Sequence, residues 1–131
     1  MTISSIVVHC SASPHGRGDD AETIHKWHLA NGWAGIGYHY VILEDGEVQA
    51  GRPDYWQGAH VGGHNKGSLG VCLMGRGGDA TDDQMNALRL LVMGLMHRYK
   101  GAEPCGHSDL DPLGKPDCPG FNVKEWWSRQ T

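Results

Sequence analysis

With 131 residues, the chain is long enough to bury one core, so a single domain over residues 1–131 is expected. The net charge of -4 and the lack of any basic run argue against a dedicated nucleic-acid binder. No apolar stretch nears the ~20 residues of a membrane span, and Met1 is not followed by the basic and apolar segments of an export signal. Hydrophobic content of 39% with five Trp is ordinary for a globular chain. The cysteines (Cys10, Cys72, Cys105, Cys118) are expected to be free, with Cys10 and Cys72 serving as small hydrophobes in β-like runs.

Taken in order, residues 3–10 (ISSIVVHC) end in a β-branched run and read as a buried strand that delivers His9 at its C-terminal end. Asp19 followed by Glu22 reads as a capping box that opens a helix through about Ala30, with Ile24, Trp27 and His28 on its buried face. Asn31-Gly32 closes that helix. Residues 38–43 (YHYVIL) alternate as a strand, and Asp45-Gly46 predicts a two-residue hairpin turn with residues 47–50 returning. Residues 51–67 form a glycine-rich surface loop that carries His60 and His64.

Residues 68–74 (SLGVCLM) read as a central strand. Thr81 and Gln84 make a second capping box, and Met85, Leu88, Val92, Leu95, Met96 and Tyr99 keep helical spacing to about Lys100. Residues 103–106 make a short strand. Residues 123–128 make a terminal helix whose Trp126-Trp127 pair covers the sheet. Strands interleaved with helices predict an α/β domain, a central mixed β-sheet flanked by helices.

The stretch CGHSDLDPLGKPDCPGF, residues 105–121, organises the rest. Its prolines remove backbone donors, so an ordered loop here needs another restraint, and a metal held by imidazole and thiolate would supply one. Ligands of open α/β sheets gather beyond the strands' carboxyl ends, where His9 and His107 both fall. With Cys118 they would give two imidazoles and one thiolate, leaving one position open on a tetrahedral zinc. Spacing alone leaves a second reading open, that these are unrelated polar residues at strand ends. Cys105 is also a rival to Cys118 as the thiolate.

Four segments carry a family resemblance: IVVHCSAS around His9, GWAGIGYHYVILEDGEVQAGR around Tyr38, GAHVGGHNKGSLGVCLMG around Cys72, and GHSDLDP…CPGF with His107 and Cys118. In this order and over nearly the whole chain, they resemble the zinc-dependent N-acetylmuramoyl-L-alanine amidases, the family of T7-type phage lysozymes and peptidoglycan recognition proteins. The resemblance implies one Zn2+ ion with His9, His107 and Cys118 as ligands, and a catalytic role for Tyr38. The T7-type pattern has a lysine two residues before the cysteine ligand; here Pro116 stands there and Lys115 lies one further back. Lys115 is taken as the second catalytic residue, since its long side chain can reach the same point.

The activity so implied is hydrolysis of the amide between N-acetylmuramic acid and L-alanine in peptidoglycan, by a phage or prophage endolysin. The chain would act as a monomer, with neither nucleic acid nor membrane as partner. It would be made in the host cytoplasm and reach the periplasmic cell wall at lysis. Two other readings belong to the same resemblance: a peptidoglycan-binding module that does not cleave, and a regulator of a phage RNA polymerase. Non-cleaving recognition proteins lack the cysteine ligand that this chain keeps. The regulatory contact uses an extension before the first strand that is mostly missing here.

The other polar residues carry weaker expectations. His60 and His64 are expected to touch glycan or peptide. His25 and His28 are read as a surface and a half-buried histidine rather than a metal pair. His39 is expected to face away from Tyr38, and Asp109 to hydrogen-bond within the loop or to a ligand histidine.

Overall fold

Strand β1 (Ser5–Cys10) lies between β4 (Ser68–Leu73) and β5 (Glu103–Gly106) and runs parallel to both in this computed structural model, which describes residues 2–130. Beyond β4 come β2 (Tyr40–Ile42), also parallel, and β3 (Val48–Ala50), antiparallel to β2, so the sheet order is β3-β2-β4-β1-β5. The α/β architecture with a mixed five-stranded sheet is the expected one. Every residue of β4 is buried, as a strand with neighbours on both sides and helices over both faces requires.

Helices α2 (Asp82–Arg98) and α4 (Val123–Ser128) cover one face of the sheet. There Ile6, Val8, Leu69, Val71 and Leu73 pack against Leu88, Val92, Leu95, Val123 and Trp126. Helix α1 (Ala21–Ala30) sits over a smaller group formed by Ile24, Ile36, Val41, Cys72 and Met74. Gln84 is wholly buried at the start of α2, and its Nε2 donates to the carbonyls of Ile42 and Met74, tying the ends of β2 and β4 to the helix. Among the described residues no helix is long and apolar enough to cross a membrane.

Local chemistry moved several expected boundaries. The cap of α1 is Asp20 with Thr23, one residue past the expected pair: Asp20 Oδ1 accepts from the Thr23 amide at 3.0 Å while Asp19 is bound by Arg17 at 2.6 Å. Trp27 is 37% exposed rather than buried, because α1 packs through Ile24 and Trp27 instead lies under the Arg17 guanidinium. The hairpin turn has three residues, not two. Leu43 accepts from the Gly46 amide and donates to Glu47, with Gly46 at φ +90 absorbing the extra residue. The second capping box, Thr81 with Gln84, forms as read.

The long connection from 51 to 67 is pinned rather than loose. Both oxygens of Asp54 accept phenol protons, from Tyr40 at 2.7 Å and Tyr99 at 2.6 Å. Asn65 Oδ1 accepts from the amides of His60 and Val61.

Candidate active site and metal centre

Parallel pairing of β1 with β5 sets their carboxyl ends side by side, with Val8 opposite Gly106. His9 is the next residue on β1, and His107 opens the four-residue helix α3 (His107–Leu110) immediately after β5. Their ring centroids are 4.6 Å apart. Cys118 reaches them from the proline-rich loop, which is built without a ladder. The Ser108 amide donates to Cys118 O at 2.8 Å, and the Lys115 amide to Asp111 O at 2.9 Å. The far side of the loop rests on bare backbone: a Cβ on Gly77 would lie 1.4 Å from Pro119 O, so only glycine fits there.

One ligand atom from each of His9, His107 and Cys118 lies within 4.8 Å of the other two. Cys105 is not part of the group; it is buried with Val7, Val61 and Leu110. All four cysteines are free.

The donor set fits a zinc ion on chemical grounds. Burial holds the His9 pKa well below its usual value, helped by His60, His107 and Lys115, so a ring lone pair is available at neutral pH. Burial lowers His107 as well, partly offset by Asp111, whose carboxylate stands 3.8 Å from His107 Nε2. Cys118 lies beside Cys10, and the interaction between the two thiols draws Cys10 down to about 6 and pushes Cys118 up, so charge is favoured on one sulfur of the pair at a time. A dication on the Cys118 side favours the charge there. Cys10 therefore belongs to the wall of the site, beyond the packing role expected of it. Its signal in the sequence was only its place beside His9 at a strand end.

These residues line a cavity of about 410 Å³, together with Ser11, Ala12, Tyr38 and residues 114–117. Tyr38 stacks against His9 at 5.0 Å and His28 at 5.6 Å, and His28 continues to the exposed Trp33 at 4.5 Å. Burial pushes the Tyr38 phenol pKa well up, with Cys72 and Cys118 adding to the rise, so the phenol keeps its proton. The Cys72 thiol beside it is itself held protonated by burial and points to Leu73 O. Lys115 lines the cavity and is exposed, and its charge is felt at His9, Cys10 and His107. The shift of the lysine by one position thus leaves it at the site, next to Pro116, which lines the same cavity.

Other expectations are placed differently. His60 is not at the substrate surface: it is 9% exposed, and both ring nitrogens are engaged within the protein. Burial, with His39 and His107 nearby, lowers its pKa to about 3. His64 is exposed and lies outside the residues that line the cavity. His25 and His28 each accept a backbone amide proton, from Ile36 and Gly37, so they serve as rivets for the segment leading to Tyr38. His39 is likewise structural, taking the Gly70 amide on Nδ1 and meeting Trp56 O through Nε2. Asp109 caps α3 by accepting from the Gly106 amide at 2.8 Å, so its partner is within the loop.

Two buried histidines and a half-buried cysteine able to hold a metal ion thus stand at the carboxyl end of an open α/β sheet, beside a protonated phenol, an arrangement suited to a hydrolase. Residues 1–121 match the N-acetylmuramoyl-L-alanine amidase family, and the chain belongs to that family. It is 42% identical over 134 residues to the endolysin of Klebsiella phage KP32, covering 96% of this chain and 86% of that protein. Against the endolysin of Escherichia phage T7 the identity is 38% over 132 residues, covering 95% and 85%. Among solved structures, the endolysin N-acetylmuramoyl-L-alanine amidase LysCS from Clostridium intestinale superposes with a TM-score of 0.81 at 31% identity, over 92% of this chain and 77% of that one. The chain is a peptidoglycan hydrolase of the phage endolysin kind.

Proposed function

We propose that this amidase cleaves the bond between the lactyl carbonyl of N-acetylmuramic acid and L-alanine at a single zinc held by His9, His107 and Cys118. The observation that carries this reading is the convergence of those three donors, from three separate segments, on one point of a cavity that also holds Tyr38 and Lys115. A zinc ion there would supply Lewis-acid activation of water and of the amide carbonyl near neutral pH.

The chain's own groups divide the remaining work. Tyr38 keeps its proton and donates it. The phenol can therefore donate to a carbonyl oxygen of the substrate as that oxygen gains charge. The Lys115 ammonium places positive charge over the same cavity without being buried, and it stabilises the oxyanion as charge develops. Donors of this type contribute on the order of 3 kcal/mol each to the transition state. The wall formed by His28 and Trp33 extends from Tyr38 toward solvent and offers a surface for the substrate beyond the scissile bond.

In this reading the enzyme acts as a monomer, is made in the host cytoplasm and meets peptidoglycan at lysis. The test is release of stem peptide from purified murein with and without a chelator. Activity lost with chelator and restored by one equivalent of zinc is expected. Undiminished release from metal-free protein would contradict it.

A further inference from the structure

His60 occupies a slot built for its ring. A Cβ on Gly58 would come within 2.6 Å of the imidazole, and one on Gly70 within 2.7 Å, so glycine on both sides leaves the ring no room to turn. Its Nδ1 lies 2.8 Å from His9 Nε2, and its Nε2 lies 3.1 Å from Ser68 Oγ. These contacts set the direction of every proton in the row.

Ser68 has one hydroxyl proton and two carbonyls against its oxygen, His64 O at 2.8 Å and Asn65 O at 3.1 Å. Carbonyls only accept. Asn65 O already takes the Ser68 amide, so the hydroxyl proton goes to His64 O. Ser68 Oγ is then left as an acceptor, and His60 must donate to it from Nε2. Neutral His60, protonated on Nε2, presents a bare Nδ1 to His9. His9 must meet that lone pair with a proton on its own Nε2.

We propose that His60 is a positioning residue for the metal centre: with Ser68 it fixes His9 as the Nε2–H tautomer, so Nδ1 is the one lone pair His9 offers a metal. This rests on the reading of His9 as a zinc ligand. It gives the buried histidine of the 51–67 loop a part in the centre without contact to substrate. Hydrogen bonds of this kind orient the ring and raise its basicity toward a metal.

Long-range proton–nitrogen correlation spectra of the metal-free wild-type chain test the tautomer without any substitution. His9 with its proton on Nε2 is expected; a proton on Nδ1, or an averaged mixture, would overturn the proposal. Zinc affinity, measured by competition with a chromophoric chelator, tests the consequence. Ser68→Ala and His60→Ala are each expected to weaken zinc binding by about 10- to 100-fold, with circular dichroism reporting the fold. Should His60→Ala fail to fold, Ser68→Ala and the wild-type spectrum decide. A folded Ser68→Ala chain with wild-type zinc affinity would overturn the role. Zinc uptake with His9 protonated on Nδ1 defeats the positioning role alone, whereas a wild-type chain that binds no zinc defeats the metal centre itself.

Discussion

The two faces of the sheet are built on opposite principles, and β1 shows both within four residues. Ile6 and Val8 turn to the α2 and α4 side and are wholly buried among Leu, Val and Trp side chains. Val7 and His9 turn to the other side, where the largest neighbours of His9 are the rings of Tyr38, His60 and His107. The apolar face gains stability from area removed from water. The polar face must satisfy each buried donor and acceptor, and among the described residues no buried side-chain nitrogen or oxygen lacks a partner. The larger apolar cluster thus lies on one side, while the other, beyond the smaller groups around Ile24 and Val7, holds neutral histidines and a thiol pair.

Substitutions on the two faces should separate stability from activity. The largest effect is expected at the ligands: Cys118→Ser should lose bound zinc and reduce stem-peptide release to background with the fold retained, as metal analysis and circular dichroism would show. On the apolar face, Leu88→Ala should cost about 3 kcal/mol of unfolding free energy while the remaining folded enzyme keeps its turnover. A denaturant titration paired with kcat checks that separation. Tyr38→Phe should keep zinc and stability but lose roughly 100-fold in kcat, the usual range for a lost oxyanion donor. Full activity would remove Tyr38 from the reaction.

The smallest effect is in pH. His9 and His60 are held below the ordinary histidine range, His60 at about 3, so the unfolded chain binds more protons than the folded one below about 6.5. Their contribution to stability is fully present above that pH and is lost progressively as pH falls toward 3. The metal-free chain should therefore melt several degrees lower at pH 5 than at pH 7.5, a window in which ordinary carboxylates barely titrate. A melting temperature that rises on acidification would contradict the neutral, buried state of both rings.

Much of the apolar face could be read directly from the chain. Spacing through Met85, Leu88, Val92 and Leu95 is a property of α2 alone, and the Thr81–Gln84 box is local to its start. His9 and His107 could be placed at strand ends for the same reason. That β1 and β5 are neighbours, and hence that the two histidines meet, depends on topology, which no local pattern encodes. Cys118 was drawn to them by family likeness and by a proline-rich loop too costly to order without support. His60 was misplaced because its loop is set by distant partners, Asp54 with two tyrosines and Asn65 with two amides, and nothing within GAHVGGH announces that the ring turns inward. The link between Cys10 and Cys118 was hidden likewise, since 107 intervening residues separate a strand end from a loop.

Water attack at the lactyl amide is tested most directly by digesting purified murein in oxygen-18 water with the zinc-loaded chain. The expected products are a peptide with a free L-alanine amine and a muramic acid whose lactyl carboxylate carries one heavy oxygen, with no new reducing sugar ends. New reducing ends, or heavy oxygen in a peptide carboxylate, would contradict it.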